Sequence, residues 1–181
     1  MKNLKIIAEI GVNHNGKVSL AKKLIKCAKQ AGADFVKFQC YSTNNLVTPG
    51  AEKARYQKKF NKSETQKQML EKYELSEKDF MILQHYCKKI GIKFLVSVFD
   101  VKSYQLIKKM GLNIIKIPSG ELNNFELIEQ IAKGKKEIIL STGMASFTEI
   151  GNTIKYLKKR IKKELTVLHC ISSYPTKPNQ V

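Results

Sequence analysis

The chain has 181 residues, 43% of them hydrophobic, which is enough to bury the core of one domain and too many for a disordered chain. No apolar run approaches the roughly 20 residues that cross a bilayer, and the N-terminus lacks the apolar stretch and cleavage site of a signal peptide. The formal charge of +18 would suit nucleic-acid binding, but the lysines are spread along the chain and only residues 155–164 form a dense basic run. We therefore expect a cytoplasmic protein with no membrane or nucleic-acid partner, and we interpret the basic run as the solvated face of one helix.

Strand and helix patterns alternate along the chain. Apolar spacing predicts strands at 4–11, 34–41, 93–99, 113–121, 137–144 and 165–170. It predicts helices at 19–32, about 66–72, 77–90, 101–111, 124–134 and 146–163, with Ser19 and Ser76 as the N-caps of the first and third. Residues 41–65 form a long polar loop that is either functional or disordered, and we favour function.

Six strands in strict alternation with helices indicate parallel strands joined by right-handed crossovers, with helices covering the sheet. No GxGxxG follows the first strand and no GxxxxGK[ST] occurs, which argues against a dinucleotide-binding fold and a P-loop. The prediction is an α/β protein with the (β/α)8 TIM-barrel fold, here partial because the last two strands are absent. We expect residues 1–181 to be the N-terminal portion of a longer barrel enzyme.

The four cysteines include no CxxC pair, which favours reduced thiols over a disulfide framework or a structural zinc site. Because a free cysteine usually behaves as a small hydrophobic residue, we expect each of them to pack in the core. They are Cys27, Cys40, Cys87 and Cys170.

Polar residues recur where each predicted strand ends. In a barrel of this kind the catalytic groups project from the carboxyl ends of the strands, so these side chains are expected to meet at one face. In strand order they are Glu9; Lys37 and Gln39; Ser97; Lys116, Ser119 and Glu121; Ser141 and Thr142; and His169, Ser172 and Ser173.

Lys37 and Lys116 each lie between apolar residues that would pack under helices, so the period of two directs both lysines into the barrel. An inward lysine without a counter-charge is costly. Glu9 or Glu121 would supply that charge, but two lysines with several hydroxyls fit an external phosphate or carboxylate better. The alternative is that both lysines reach solvent from frayed strand ends. Glu9 and Glu121 are also candidate acid/base groups.

The three histidines give no metal-ligand spacing, so no metal ligand is predicted within the chain. His14 is either a loop hydrogen-bonding group or a substrate contact, and the sequence does not separate the two. We expect His169 to orient the end of the last strand and His85 to be structural or on the surface.

Six sequence blocks occur in a fixed order: IIAEIGVNHNG, AGADFVKFQ, ARYQ, IPSGELNN, ILSTGMAS and LHCISSYPT. Together they closely resemble the sialic acid synthase family, whose members condense phosphoenolpyruvate with an N-acetylated amino sugar to give a nine-carbon 2-keto-3-deoxy acid. The resemblance implies a TIM barrel followed by a small antifreeze-like domain, absent here, in a homodimer. It also implies a divalent metal, Mn²⁺ or Mg²⁺, with ligands beyond residue 181, so residues 1–181 are not expected to catalyse the reaction alone.

The same resemblance implies roles for individual residues. Glu9 resembles a residue that contacts the acceptor sugar, and Glu121 resembles one placed near the reacting carbons and water. VSVF stands where the family often has STPF, which keeps a hydroxyl at Ser97 only. The implied phosphoenolpyruvate ligands are Lys37, Ser97, Lys116, Ser119, Ser141 and Ser172, and the implied acceptor-side residues are Glu9, Asn13, Gln57 and Tyr174.

The implied activity is that of a C–C bond-forming transferase whose acceptor is N-acetylmannosamine or a modified sugar leading to legionaminic or a related acid. Two other classes stay open. Another barrel enzyme for a phosphorylated keto acid, such as an aldolase or a related 2-keto-3-deoxy synthase, would share the lysines but should lack GVNHNG and SSYPT. A basic nucleic-acid-binding protein would explain the charge but not the polar residues at the strand ends.

Overall fold

Six parallel strands form one sheet, and their order in the sheet is their order in the chain. The computed structural model describes residues 4–53 and 64–181. The predicted number of strands and their parallel pairing are confirmed. The strands are β1 (Ile7–Gly11), β2 (Phe35–Cys40), β3 (Lys93–Val98), β4 (Ile114–Ile117), β5 (Glu137–Ser141) and β6 (Leu165–Leu168).

Helices connect the strands and cover the outer face of the sheet. The described part of the predicted loop at 41–65 contains one short helix, Thr43–Leu46, and residues 54–63 of this loop lie outside the described residues. None of the described helices is long and apolar enough to cross a membrane. The helices are α1 (Val18–Gln30), α2 (Thr43–Leu46), α3 (Gln66–Tyr73), α4 (Glu77–Ile90), α5 (Val101–Lys109), α6 (Phe125–Lys133) and α7 (Phe147–Lys158).

The sheet is not closed among the described residues, because β1 pairs only with β2 and β6 pairs only with β5. The structure is therefore a partial barrel, as the sequence predicts. Val167 on the edge strand β6 is 41% exposed, whereas the central strands carry fully buried apolar residues.

Alternate residues of each central strand pack under the helices in one apolar cluster. The cluster includes the neighbours of the two inward lysines on β2 and β4, and these neighbours are completely buried. The period of two then turns both lysines toward the inner face of the sheet, as predicted. The four buried neighbours are Val36, Phe38, Ile115 and Ile117.

Helix ends follow the sequence signals in some places only. Ser76 caps α4 as predicted, by accepting a hydrogen bond from the Asp79 amide. The prediction of Ser19 as the N-cap of α1 is wrong, because Lys17 is the capping position and Val18 already lies in the helix. A turn before the helix causes this shift. The Lys17 amide donates a hydrogen bond to the His14 carbonyl, and the Lys17 carbonyl accepts the first hydrogen bond of the helix, from the Ala21 amide.

The basic run at 155–164 is only partly helical. Helix α7 ends at Lys158, five residues before the predicted end, so the interpretation of the run as one helix face is wrong for its second half. Arg160 folds back over its own helix, where its guanidinium lies 3.6 Å from the centre of the Tyr156 ring. Its Nε also lies 3.3 Å from a carboxylate oxygen of Glu129. The positive charge of Arg160 is therefore paired with a carboxylate of the same chain.

The cysteines are free thiols, as predicted. Core packing is confirmed for Cys40 and Cys87, whose burial raises the pKa of each thiol to about 12. It is wrong for Cys27, which is exposed on α1, and for Cys170, which is half-buried beyond β6. Cys170 instead lines the cleft described below.

Candidate active site

A cleft of about 680 Å³ opens at the carboxyl ends of the strands, and every strand contributes to its wall. The cleft brings together all but one of the residues for which the family resemblance implies a role. The exception is Gln57, which lies outside the described residues. Those in the cleft are Glu9, Asn13, Lys37, Ser97, Lys116, Ser119, Glu121, Ser141, Ser172 and Tyr174. Of the other predicted strand-end residues, Gln39 lines the cleft, whereas Thr142, His169 and Ser173 do not.

Lys37 is buried on the inner face of β2 and has two polar partners. It forms an ion pair with Glu9, which lies opposite it in the β1–β2 register. Its ammonium also donates a hydrogen bond of 3.2 Å to the Ser97 hydroxyl on β3. Half of the Glu9 side chain is exposed to the cleft, so this carboxylate neutralises Lys37 and still faces a ligand.

Lys116 occupies the equivalent inward position on β4 but has a different environment. Its ammonium donates a 2.5 Å hydrogen bond to the Ser141 hydroxyl on β5. Within residues 4–53 and 64–181, no carboxylate lies at ion-pair distance from it. Burial, followed by repulsion from Lys37, lowers the pKa of Lys116 to about 8. The site therefore contains a half-buried cation with no carboxylate at ion-pair distance among the described side chains.

The carboxyl ends of β4, β5 and β6 meet at Gly143. The Gly143 amide donates a 2.9 Å hydrogen bond to the Ser119 hydroxyl, and Ser119 begins a 3-10 turn directly after Pro118. Next to it, the Thr142 hydroxyl donates to the Leu168 carbonyl at 2.7 Å, which ties this loop to β6. Ser172 also lies against Gly143.

Three of the serine hydroxyls share one hydrogen-bonding pattern. Ser97 accepts from Lys37, Ser141 accepts from Lys116 and Ser119 accepts from a backbone amide. Because each oxygen already accepts from a nitrogen, its own hydroxyl proton is free to donate. The arrangement therefore offers hydroxyl donors beside two ammonium groups, which suits an anion with several oxygens, such as a phosphate ester or a carboxylate.

Glu121 is a half-buried carboxylate at the end of the same 3-10 turn. It accepts a 2.7 Å hydrogen bond from the side chain of Asn124, which is also the N-cap of α6. Burial raises the pKa of Glu121 above its ordinary value. A carboxyl with a raised pKa at a cleft wall is suited to proton transfer or to orienting a water molecule.

Other cleft residues were not predicted from the sequence. Tyr41 follows β2 and donates from its hydroxyl to the Leu70 carbonyl of α3 at 3.0 Å. Its ring meets Phe99 edge-on at 6.2 Å between ring centroids. Both aromatic residues come directly after a strand, so their position was a usable signal, but the contact with α3 was not visible in the sequence. Tyr174, by contrast, is one of the acceptor-side residues that the resemblance implies; it lies at the rim and is 67% exposed.

The structure separates the two interpretations of His14. The ring is buried, accepts a 3.0 Å hydrogen bond from the Gly16 amide at Nδ1 and lies 5.9 Å from the Phe38 ring. Burial lowers its pKa, which keeps the imidazole neutral. His14 is therefore a structural residue of the β1–α1 loop, while His85 and His169 are exposed.

The described residues contain no cluster of three or more His, Cys, Asp or Glu side chains able to hold a metal ion. The acidic groups of the cleft are also committed, since Glu9 pairs with Lys37 and Glu121 accepts from Asn124. A divalent metal therefore does not fit the donor set of this part of the chain.

A second, larger groove of about 790 Å³ lies at the opposite end of the strands, between them and α4. Its wall includes Phe35, Lys93 and Glu137, which stand at the amino ends of β2, β3 and β5. Barrel enzymes use the carboxyl ends for catalysis, so the smaller cleft is the candidate active site.

Comparison with known proteins connects this chain to one family. A model described as the NeuB family matches residues 24–181. The chain is 47% identical to the N,N'-diacetyllegionaminic acid synthase of Campylobacter jejuni, over all of this chain and 55% of that protein. It is 35% identical to the N-acetylneuraminate-9-phosphate synthase of Drosophila melanogaster, over 96% of this chain and 46% of that protein. The chain thus spans about half the length of the curated relatives it matches.

Solved structures give the same result for the fold. The N-acetylneuraminic acid synthetase of Leptospira borgpetersenii, crystallised with citrate, superposes with a TM-score of 0.83 and 31% identity. The match covers 99% of this chain and 58% of that one. The phospho-2-dehydro-3-deoxyheptonate aldolase (DAHP synthase) of Thermotoga maritima has a TM-score of 0.66 at 15% identity, which is a likeness of fold alone.

Proposed function

Because this chain belongs to the NeuB family of sialic acid synthases, we propose that the complete protein condenses phosphoenolpyruvate, an N-acetylated amino sugar and water. The products are a nine-carbon 2-keto-3-deoxy acid and inorganic phosphate. The observation that carries the proposal is the half-buried Lys116, which has no carboxylate at ion-pair distance among the described residues and lies beside a serine hydroxyl whose proton is available to donate. A bound polyanion would offset the cost of partly burying this charge.

In this proposal the two lysines and the serines bind phosphoenolpyruvate. Lys116 and Lys37 face its negative charges, and the serine hydroxyls donate to its phosphate and carboxylate oxygens. Lys37 keeps Glu9 as a partner, so Lys116 supplies the larger uncompensated charge. The serines are Ser97, Ser119, Ser141 and Ser172.

The reaction forms one carbon–carbon bond, from C3 of phosphoenolpyruvate to the aldehyde carbon of the open-chain sugar. Water adds at C2, and phosphate leaves with the bridging oxygen when the C2–O bond breaks, which produces the ketone. Glu121 stands at the cleft wall with a raised pKa, and we assign to it the orientation of this water and the acceptance of its proton. The lysines and hydroxyls then stabilise the departing phosphate.

The acceptor sugar is assigned to the β1 side of the cleft. The exposed half of Glu9 and the loop residue Asn13 face the cleft there, and Tyr174 lies at the rim. Gln57 is kept in this set on the family resemblance alone. The acceptor is N-acetylmannosamine or a modified acetamido sugar, and the 47% identity with a diacetyllegionaminic acid synthase supports including diacetamido sugars among the candidates.

Several properties of the whole protein belong to the proposal as well. A divalent Mn²⁺ or Mg²⁺ ion would polarise the aldehyde as a Lewis acid, and its ligands would have to come from outside the described residues. A homodimer and a cytoplasmic location are proposed on the family resemblance alone. No nucleic-acid partner is proposed, and the engagement of Arg160 with Tyr156 and Glu129 supports this.

The test is a phosphate-release assay on the complete gene product with phosphoenolpyruvate, Mn²⁺ and a panel of mono- and diacetamido sugars. We expect release that depends on one class of sugar, with a product whose mass equals the sum of the sugar and pyruvate. Absence of turnover with every acetamido sugar would refute the synthase. Turnover with a phosphorylated aldose that lacks the acetamido group would show instead that the protein acts as one of the related 2-keto-3-deoxy acid synthases.

A further inference from the structure

Gly143 lies in the loop after β5, where the ends of three strands come together. A Cβ atom built on this glycine would overlap the Ser172 hydroxyl oxygen, and would lie 3.0 Å from the Ser119 hydroxyl oxygen and 3.3 Å from the Cys170 carbonyl oxygen. The backbone of Gly143 is not in the left-handed region. Its conformation therefore admits any residue, and only the close approach of its neighbours requires glycine.

The Gly143 amide has a specific role in this cluster. It donates to the Ser119 hydroxyl oxygen at 2.9 Å, which uses the oxygen as an acceptor and leaves the hydroxyl proton as the donor. The adjacent Thr142 hydroxyl donates to the Leu168 carbonyl at 2.7 Å, so the loop is fixed to β6 while it holds β4. One short segment thus sets the distance between the hydroxyl groups of Ser119 and Ser172.

We propose that Gly143 is a positioning residue for the anion: its amide orients Ser119, and its missing side chain lets Ser172 approach the same ligand. The proposal rests on the proposed function, because it names what keeps two of the phosphoenolpyruvate hydroxyl donors together. Gly143 itself does not act through a side chain. A methyl group at this position would push Ser172 away and disturb the hydrogen bond to Ser119.

The first experiment is Gly143→Ala in the complete gene product. We expect KM for phosphoenolpyruvate to rise by at least about tenfold, because the variant loses one hydrogen bond to a charged group. KM for the acceptor sugar should stay within about twofold of the wild-type value. Two matched variants separate position from stability. Gly151→Ala lies in α7 with open space and should change neither constant. Gly134→Ala would overlap the buried Tyr104 hydroxyl, so it should lower stability without selectively raising KM for phosphoenolpyruvate.

A double-mutant cycle with Ser172→Ala tests the mechanism. If the added methyl acts by displacing the Ser172 hydroxyl, Gly143→Ala should cost much less in the Ser172→Ala background than in the wild type. Additive effects of the two substitutions, or an unchanged KM in Gly143→Ala, would overturn the proposal.

Calorimetric titration with inorganic phosphate provides a readout that does not need turnover. Weaker phosphate binding in Gly143→Ala than in the wild type supports the positioning role even if no acetamido sugar is turned over. Equal phosphate affinity in the two proteins, or no phosphate binding by the wild type, overturns it. A wild-type protein that binds phosphate but turns over no sugar refutes the proposed function alone.

Discussion

Lys116 should reduce the stability of the ligand-free protein, so replacing it with methionine should stabilise the fold. Methionine keeps the length of the aliphatic chain and removes the charge. The pKa of Lys116 falls from 10.5 to about 8, which corresponds to about 3 kcal/mol at 1.36 kcal/mol per pKa unit. Loss of the hydrogen bond to the buried Ser141 returns about 1 kcal/mol. The net expectation for Lys116→Met is a gain of about 2 kcal/mol in the free energy of unfolding at pH 7.

The pH dependence gives the sign of this effect. The folded pKa of Lys116 lies below the unfolded value, so the unfolded chain binds more protons between about pH 8 and pH 10.5. The penalty is complete below about pH 8 and disappears as the pH rises toward 10.5. The wild type should therefore gain stability across this window relative to Lys116→Met.

The assay is equilibrium unfolding in urea from pH 7 to pH 10, on the complete gene product without ligand. Lys53→Met is the matched control, because Lys53 is a buried lysine with a carboxylate partner, Glu64, at 3.1 Å. Removing Lys53 leaves that carboxylate without this cation and should lower stability. A Lys116→Met protein that is less stable than the wild type at pH 7, with an unchanged pH dependence, would refute the account of a partly buried charge without an ion-pair partner.

Three further expectations concern catalysis and binding. Glu121→Gln should lower kcat by at least about 100-fold with little change in KM for phosphoenolpyruvate, and should remove the acid limb of the kcat–pH profile; an unchanged profile would contradict its assigned role. Chelation of divalent metal should stop turnover of the complete protein while phosphoenolpyruvate still binds by calorimetry, and turnover in excess chelator would refute the metal requirement. Reversing Lys158 and Lys159 to glutamate should leave turnover unchanged, and salt-dependent DNA binding that this change abolishes would favour a nucleic-acid function.

The sequence predicts the strand-end cluster well because the relevant rules are local. Alternation of apolar residues around Lys37 and Lys116 requires both side chains to face inward, and parallel strands place their carboxyl ends on one side. The polar residues that follow several strands therefore meet in one cleft, and the local sequence pattern is sufficient to predict this cluster.

The partners within the cleft depend on the register of the sheet and could not be predicted in the same way. Glu9 and Lys37 form an ion pair because β1 and β2 place them side by side, whereas Lys116 donates a hydrogen bond to Ser141 on β5. From the sequence, either carboxylate, Glu9 or Glu121, was an equal candidate to neutralise either lysine. The proposed anion site depends on this difference between the two lysines, and the difference follows from the pairing of the strands and not from the sequence pattern around each lysine.

Two kinds of error had other physical causes. Ser19 has the side chain of an N-cap, but the turn formed by the preceding residues places the N-cap of α1 two positions earlier, at Lys17. Cys170 is apolar enough for a core, but it follows an edge strand and lines the cleft instead. The sequence also does not predict that position 143 requires glycine, because the requirement arises from the close approach of Ser172, which follows a different strand.

The most direct test of the anion site is a calorimetric titration of phosphoenolpyruvate into the complete wild-type protein and into Lys116→Met at pH 7, with Gly151→Ala as a control. The account predicts saturable binding to the wild type and to the control. It predicts a loss of at least about 100-fold in affinity for Lys116→Met, since removing one member of a buried charge pair costs about 3 kcal/mol or more. Equal affinity in the wild type and Lys116→Met would contradict it.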